Sequence, residues 1–152
     1  MRWRGLHFGI AAAAVVADLA TKAWARRALS GRGVLWLWRP WFSLRLLYNT
    51  GATLGVGAAH ERVITVASGV LVLVLAAMVW RVRRGGVGLA LMLAGGVGNL
   101  ASRLLQGRVT DFAHVWFWPG IFNLADVFLR GGALLFALML LLPPRVVPPK
   151  GA

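Results

Sequence analysis

A chain of 152 residues is long enough for about one domain. It is 59% hydrophobic and 14% charged, against roughly 45–50% and about 25% in soluble domains, which excludes both a soluble globular domain and a disordered chain. Seventeen Lys and Arg against four Asp and Glu give a net charge of +13, but the Arg residues stand singly or in short clusters beside apolar runs, so anionic lipid is the expected partner and nucleic acid is not; the lack of Cys excludes disulfides, thiolate nucleophiles and Cys-based metal sites.

A membrane-spanning helix takes about 20 mostly apolar residues. Residues 6–24 form the first such run, broken only by Asp18 and Lys22. It has the basic start and Ala-rich middle of a signal peptide, but these two charges occupy the place of a small, neutral cleavage region, so the span reads as retained. Residues 26–62 are long enough to fold. Within them, residues 34–48 are rich in Trp, Leu and Phe, alternate partly and turn at Arg39-Pro40, which predicts short strands lying at the membrane surface. Residues 63–80 are a charge-free second span, and 81–84 a minimal turn with Arg81, Arg83 and Arg84. Residues 85–105 are the third span, with Arg103 near its end and Asp111 in the loop that follows. Residues 126–142 are the fourth; Arg130 interrupts it close to one end, where a long side chain snorkels to the headgroups. Trp36, Trp38, Trp41, Trp116 and Trp118 suit the headgroup region. Residues 143–152 read as a frayed, Pro-rich tail.

Four spans place both termini on one side. Arg2, Arg4, the Arg-rich turn, Arg145 and Lys150 favour the cytoplasm for that side. Arg26, Arg27, Arg32, Arg39, Arg45 and Arg62 lie between spans one and two, so charge alone leaves the orientation open.

A charge in the hydrocarbon costs at least about 2.5–3.5 kcal/mol, so each needs a reason. Helix topology brings Asp18, Glu61, Asp111 and Asp126 to one face of the membrane, with Asn49, Asn99, Arg103 and Asn123. The opposite face has no acid and no Asn. This one-sided collection predicts a site near one membrane surface, between helix ends. Local readings compete with it. Asp18 and Lys22 are spaced as a helical ion pair. Asn99 and Asn123 suit hydrogen bonds between helices. Asp126 suits an N-cap, and Glu61 a solvated loop. Asp111 has no such local role.

Several lookalikes fail on context. Gly96-Val97-Gly98-Asn99-Leu100-Ala101 matches a dinucleotide pattern but lies inside an apolar helix with no strand before it. Gly51-Ala52-Thr53-Leu54-Gly55 is not inside an apolar 20-mer, so it is no dimerisation face. His7, His60 and His114 are scattered, which argues against a zinc protease, and there is no G-x-S-x-G. Asp111 and Asp126 remain. Two carboxyls about 3 Å apart share one proton: the ionised member takes a proton from water, the protonated member polarises a scissile carbonyl, and water attacks with no metal and no covalent intermediate. A small transporter or channel subunit with an Asp/Asn polar path, or an adaptor whose polar groups serve packing, are the readings from other classes. A midplane cluster would suit the transporter, whereas this one lies toward one surface.

Five segments resemble bacterial lipoprotein signal peptidase, signal peptidase II, in that family's order, across about residues 6–140. Asp18-Leu19-Ala20-Thr21-Lys22 is similar to its D-x-x-x-K. Asn49-Thr50-Gly51-Ala52-Thr53-Leu54-Gly55 is similar to its N-x-G-A loop. Gly95-Gly96-Val97-Gly98-Asn99-Leu100, followed by Arg103, is similar to G-G-a-l-G-N-l-i-D-R. Val109-Thr110-Asp111-Phe112 and Phe122-Asn123-Leu124-Ala125-Asp126 are similar to V-v-D-F and f-N-v-A-D.

The resemblance implies one membrane-embedded peptidase domain over 1–152: a four-helix transmembrane bundle, all-α but for a small extracytoplasmic β-cradle over about 33–57 and a short loop segment at the membrane surface. It implies an aspartyl endopeptidase of the inner membrane, without cofactor or metal, that cuts prolipoproteins before a diacylglyceryl-modified lipobox Cys. Asp111 and Asp126 fall on the catalytic positions. Asn49, Gly51, Asn99, Arg103 and Asn123 fall on positions that line the site or bind substrate, and Asp18 and Lys22 on a supporting pair. Cytoplasmic termini, a site toward the outer leaflet and a monomer are expected. Diacylglycerol would lie against apolar helix faces, with 34–48 and 114–118 flanking the substrate. Ser102 replaces a carboxylate of the family pattern, Thr53-Leu54 a more usual Ala-aromatic pair, and Arg130 an uncharged residue.

Overall fold

The computed structural model describes residues 2–51, 61–82 and 85–142. Positions 52–55 of the Asn49 motif, His60, Arg83 and Arg84 of the basic turn, and the tail with Arg145 and Lys150 lie outside the described residues. The elements are α1 (Arg2–Ala28), β1 (Leu35–Trp38), β2 (Phe42–Asn49), α2 (Glu61–Arg81), α3 (Gly86–Gln106), β3 (Val109–Val115) and α4 (Leu124–Leu141). All four helices are long and apolar enough to cross a membrane, where each backbone must satisfy its own hydrogen bonds. Their outer faces carry exposed apolar residues, such as Val66, Val70 and Leu73 on α2, as expected of a lipid-facing surface.

α3 is the central helix. It packs on α1 and α2 through Ala11, Ala14, Leu75, Val79, Leu89, Ala90, Leu93 and Ala94. Small residues let it approach α4 at backbone distance: a Cβ on Gly88 would meet the Gly132 carbonyl, and one on Gly95 the Ala125 carbonyl. A left-handed Gly107, φ 67°, ends α3 and donates its N–H to the Arg103 carbonyl at 2.8 Å.

The strands form one antiparallel sheet in the order β1-β2-β3. The partial alternation of 34–48 thus becomes β1 and β2, joined across Arg39-Pro40. Asp111 stands on β3 opposite Leu47, not in a loop. The strand escapes sequence reading because its first five residues are all buried, leaving no half-buried alternation to see. Phe112 and Ala113 pack with Leu44 against Ala25 of α1 and Leu29 just beyond its end, so the sheet caps the end of the bundle. Two other residues differ from their local readings. Glu61 opens α2, and Asn123, not Asp126, is the N-cap of α4.

Candidate active site

At the sheet end of the bundle the polar residues lock together. Lys22 Nζ donates to Asp18 Oδ2 at 2.7 Å, Asn99 Oδ1 at 2.8 Å and the Gly98 carbonyl at 3.3 Å. Asp18 Oδ1 accepts the Ala125 N–H at 2.8 Å. The pair is at most 1% exposed, and a side chain at Gly98 would overlap the Asp18 carboxylate. An ion pair this deep is tolerable only because its remaining hydrogen-bonding capacity is used.

Lys22 also decides which way Asn99 faces. With Oδ1 taken, Asn99 presents Nδ2 to Asp126 Oδ1 at 2.9 Å. Asn123 is the hub between the carboxylates. Its Oδ1 accepts the Asp126 N–H at 3.0 Å, and its own N–H donates to Asp126 Oδ2 at 3.2 Å, a reciprocal cap. Its Nδ2 donates to Asp111 Oδ1 at 2.6 Å. Asn49 Nδ2 donates to Asp111 Oδ2 at 3.1 Å, and the Gly51 N–H holds Asn49 Oδ1 at 2.9 Å. Each oxygen of both carboxylates therefore accepts an N–H. Arg103 Nη2 donates to the Gly51 carbonyl at 2.9 Å, tying α3 to the chain just beyond β2.

Asp111 and Asp126 open on one cleft of about 260 Å³, which Asn49, Asn99, Arg103 and Asn123 also line. Ile64 and Leu71 of α2 and Leu129 of α4 supply an apolar wall. Burial pushes the Asp111 carboxyl up to about 6, and the negative charge of Asp126 adds to the push against the amides of Asn123 and Asn49. Among the described residues no three His, Cys, Asp or Glu side chains are grouped to hold a metal.

Residues 10–142 match the family described as Signal peptidase (SPase) II. The chain belongs to the signal peptidase II family. It is similar to the lipoprotein signal peptidase of Rhizorhabdus wittichii, 36% identical over 91% of this chain and 87% of that one. The lipoprotein signal peptidase of Rhodococcus jostii is 35% identical over 91% and 74% of the two chains, and that of Ectopseudomonas mendocina 38% over 82% and 80%. Two solved structures of bacterial membrane enzymes share the fold. One has a TM-score of 0.81 at 24% identity over 94% of both chains. The other has 0.79 at 24% over 90% of this chain and 93% of that one.

All the polar residues singled out in this signal peptidase II sequence meet at one end. Asp18 and Lys22 lie behind Asn99, and Gly51 acts through its backbone. Ser102 folds back on its own helix, donating to the Gly98 carbonyl at 2.9 Å. Arg103 thus gains no carboxylate from that neighbour, and its buried Nε has no partner among the described residues. Trp118, at the end of the 114–118 segment expected to flank the substrate, lines the cleft, and so does Arg130, which sequence reasoning left out of the site, its guanidinium 4.5 Å from the Trp118 ring centroid. Arg130 follows Asp126 by four residues, which puts both on one face of α4 and was the available signal. Ile64 and Ser68, in the charge-free run 63–80, carried none.

Proposed function

We propose that this chain removes signal peptides from prolipoproteins as an aspartyl endopeptidase, with Asp111 and Asp126 as its catalytic residues. The supporting observation is that two acids from different elements meet in one cleft, bridged by a single asparagine. Asp126 sits in the first turn of α4, where negative charge is favoured, and serves as the base. Asp111 is the more deeply buried and holds the shared proton. Asp126 takes a proton from water as the oxygen attacks the scissile carbonyl carbon, while Asp111 gives its proton to the carbonyl oxygen. On collapse the C–N bond breaks, the nitrogen receives the proton from Asp126, and the carbonyl oxygen returns its proton to Asp111.

Asn49, Gly51 and Arg103 line the approach and hold substrate backbone, while Lys22 and Asp18 position Asn99. The substrate carries a diacylglyceryl-Cys lipobox and is cut before that Cys, its acyl chains lying on the apolar faces beside the cleft. The enzyme is a monomer of the bacterial inner membrane, with cytoplasmic termini and its site toward the outer leaflet. A transporter or channel is not favoured, because the polar groups gather at one end of the bundle instead of at mid-depth.

Purified protein in detergent should cleave a diacylglyceryl-modified prolipoprotein before the Cys, with chelator present. Asp111→Asn and Asp126→Asn should each lower the rate by about 10³-fold or more, as for other members of catalytic units. Full activity in either variant would remove the pair from the mechanism.

A further inference from the structure

The end of the bundle opposite the sheet holds cations and no acid. The four acids, Asp18, Glu61, Asp111 and Asp126, all belong to the sheet side. At the far end, the first turns of α1 carry Arg4 and His7, α2 finishes at Trp80 and Arg81, and α3 begins at Gly86. Arg4 and His7 are three apart and share a face of α1. The Arg4 guanidinium stacks 4.6 Å from the Trp80 centroid and 5.2 Å from that of Trp3. Its Nε is buried with no partner among the described residues, and so is Nδ1 of His7. His7 is 6% exposed. The nitrogen-bearing edge of its ring lies on Gly86, where a Cβ would overlap it.

The 21-residue helix α3 therefore starts beneath the imidazole, and it starts uncapped: Gly85, φ 75°, offers no side chain to its first-turn N–H groups. A positive helix end, a guanidinium and a buried ring nitrogen converge where the described residues offer no anion. Buried polar groups without partners are uncommon and costly, and two occur together here.

We propose that this corner, where α1, α2 and α3 meet, binds the phosphate of an anionic membrane lipid. The phosphate oxygens accept from Arg4 and from the α3 N-terminus, and His7 closes the site from the α1 side. The source is a lipid because apolar surface runs directly from the corner: Leu6 is 61% exposed and Leu73 71%. Trp3 and Trp80 stand where indole rings favour the headgroup layer. The proposal is independent of the peptidase reading, since it concerns the other end of the molecule.

The test titrates the full chain, purified in neutral detergent and stripped of lipid, with dihexanoylphosphatidylglycerol, and counts the 1:1 complex by native mass spectrometry. Saturation at one site is expected. Arg4→Gln should weaken it roughly tenfold or more. His7→Phe, which keeps a ring and removes the nitrogens, should weaken it as well, and decides the matter if Arg4→Gln does not fold. Melting temperatures without lipid identify the folded variants. Unchanged binding in a folded variant, or lipid uptake without one-site saturation, would overturn the proposal. Displacement of the lipid by an equal concentration of inorganic phosphate would also overturn it, in favour of a free anion.

Discussion

A carboxyl that burial and a neighbouring charge have pushed from 3.8 up to about 6 keeps its proton only on the acid side of neutrality. If Asp111 supplies the proton that the carbonyl oxygen receives, kcat/KM of the free enzyme should fall about tenfold per pH unit above that value. The measurement is initial rate at low substrate across pH 5–9, and a flat alkaline limb would reassign the proton donor. Stability follows the same proton. The folded state holds it more tightly than the unfolded chain, so folding is favoured as pH falls from about 6 towards 3.8 and disfavoured as pH rises through 6, by about 3 kcal/mol in full. Asp111→Asn should lose that dependence, visible as a melting temperature in detergent that no longer drops between about pH 4 and pH 6. The candidate acids were legible from cost alone, because charges beside apolar runs need a reason to be there. The hub was not. Asn123 reads as an ordinary polar residue between helices, and only the folded chain shows one amide holding Asp111 and Asp126 together.

Among the elements, α3 and α4 cross so closely that Gly88, Gly95 and Gly132 have room for nothing larger than hydrogen. Gly88→Ala would push a methyl into the Gly132 carbonyl and the Phe136 backbone. Overpacking of this kind costs about 1–3 kcal/mol. The change should lower the melting temperature in detergent and, by shifting α4, weaken cleavage too, whereas Gly131→Ala, where a Cβ meets nothing within 4 Å, should leave both near wild type. Equal behaviour of the two variants would mean that the contact is slack. The helices themselves were plain in the sequence, since long apolar runs in a membrane protein have few other structures open to them. β1 and β2 showed through Trp-Leu alternation, but β3 did not, because a strand covered on both faces buries polar and apolar residues alike and leaves no alternation to read. Asn123 rather than Asp126 as the cap escaped for a related reason: both are good cap types three residues apart, and only the fold shows that the helix starts just after Asn123, with Asp126 already in its first turn.

At the scale of the whole molecule, sidedness is the property that charge left open. The proposed orientation puts Ser30, just beyond α1 and exposed, outside the cytoplasm, and Arg81, at the end of α2, inside. The chain has no Cys, so Ser30→Cys and Arg81→Cys are clean reporters. A membrane-impermeant maleimide should label Ser30→Cys in intact spheroplasts and Arg81→Cys only after lysis, and the reverse pattern would invert the topology. The double duty of Asn123 also bears on how such an enzyme is made. It caps α4, which leaves the ribosome after α1, α2 and α3, and the same amide joins the two acids. Under the proposed roles, a nascent chain with only α1, α2 and α3 inserted has no finished centre, and α4 arms it on docking. Birth of the protease and docking of α4 are then one event, so neighbouring nascent chains in the membrane are spared until that helix is in place.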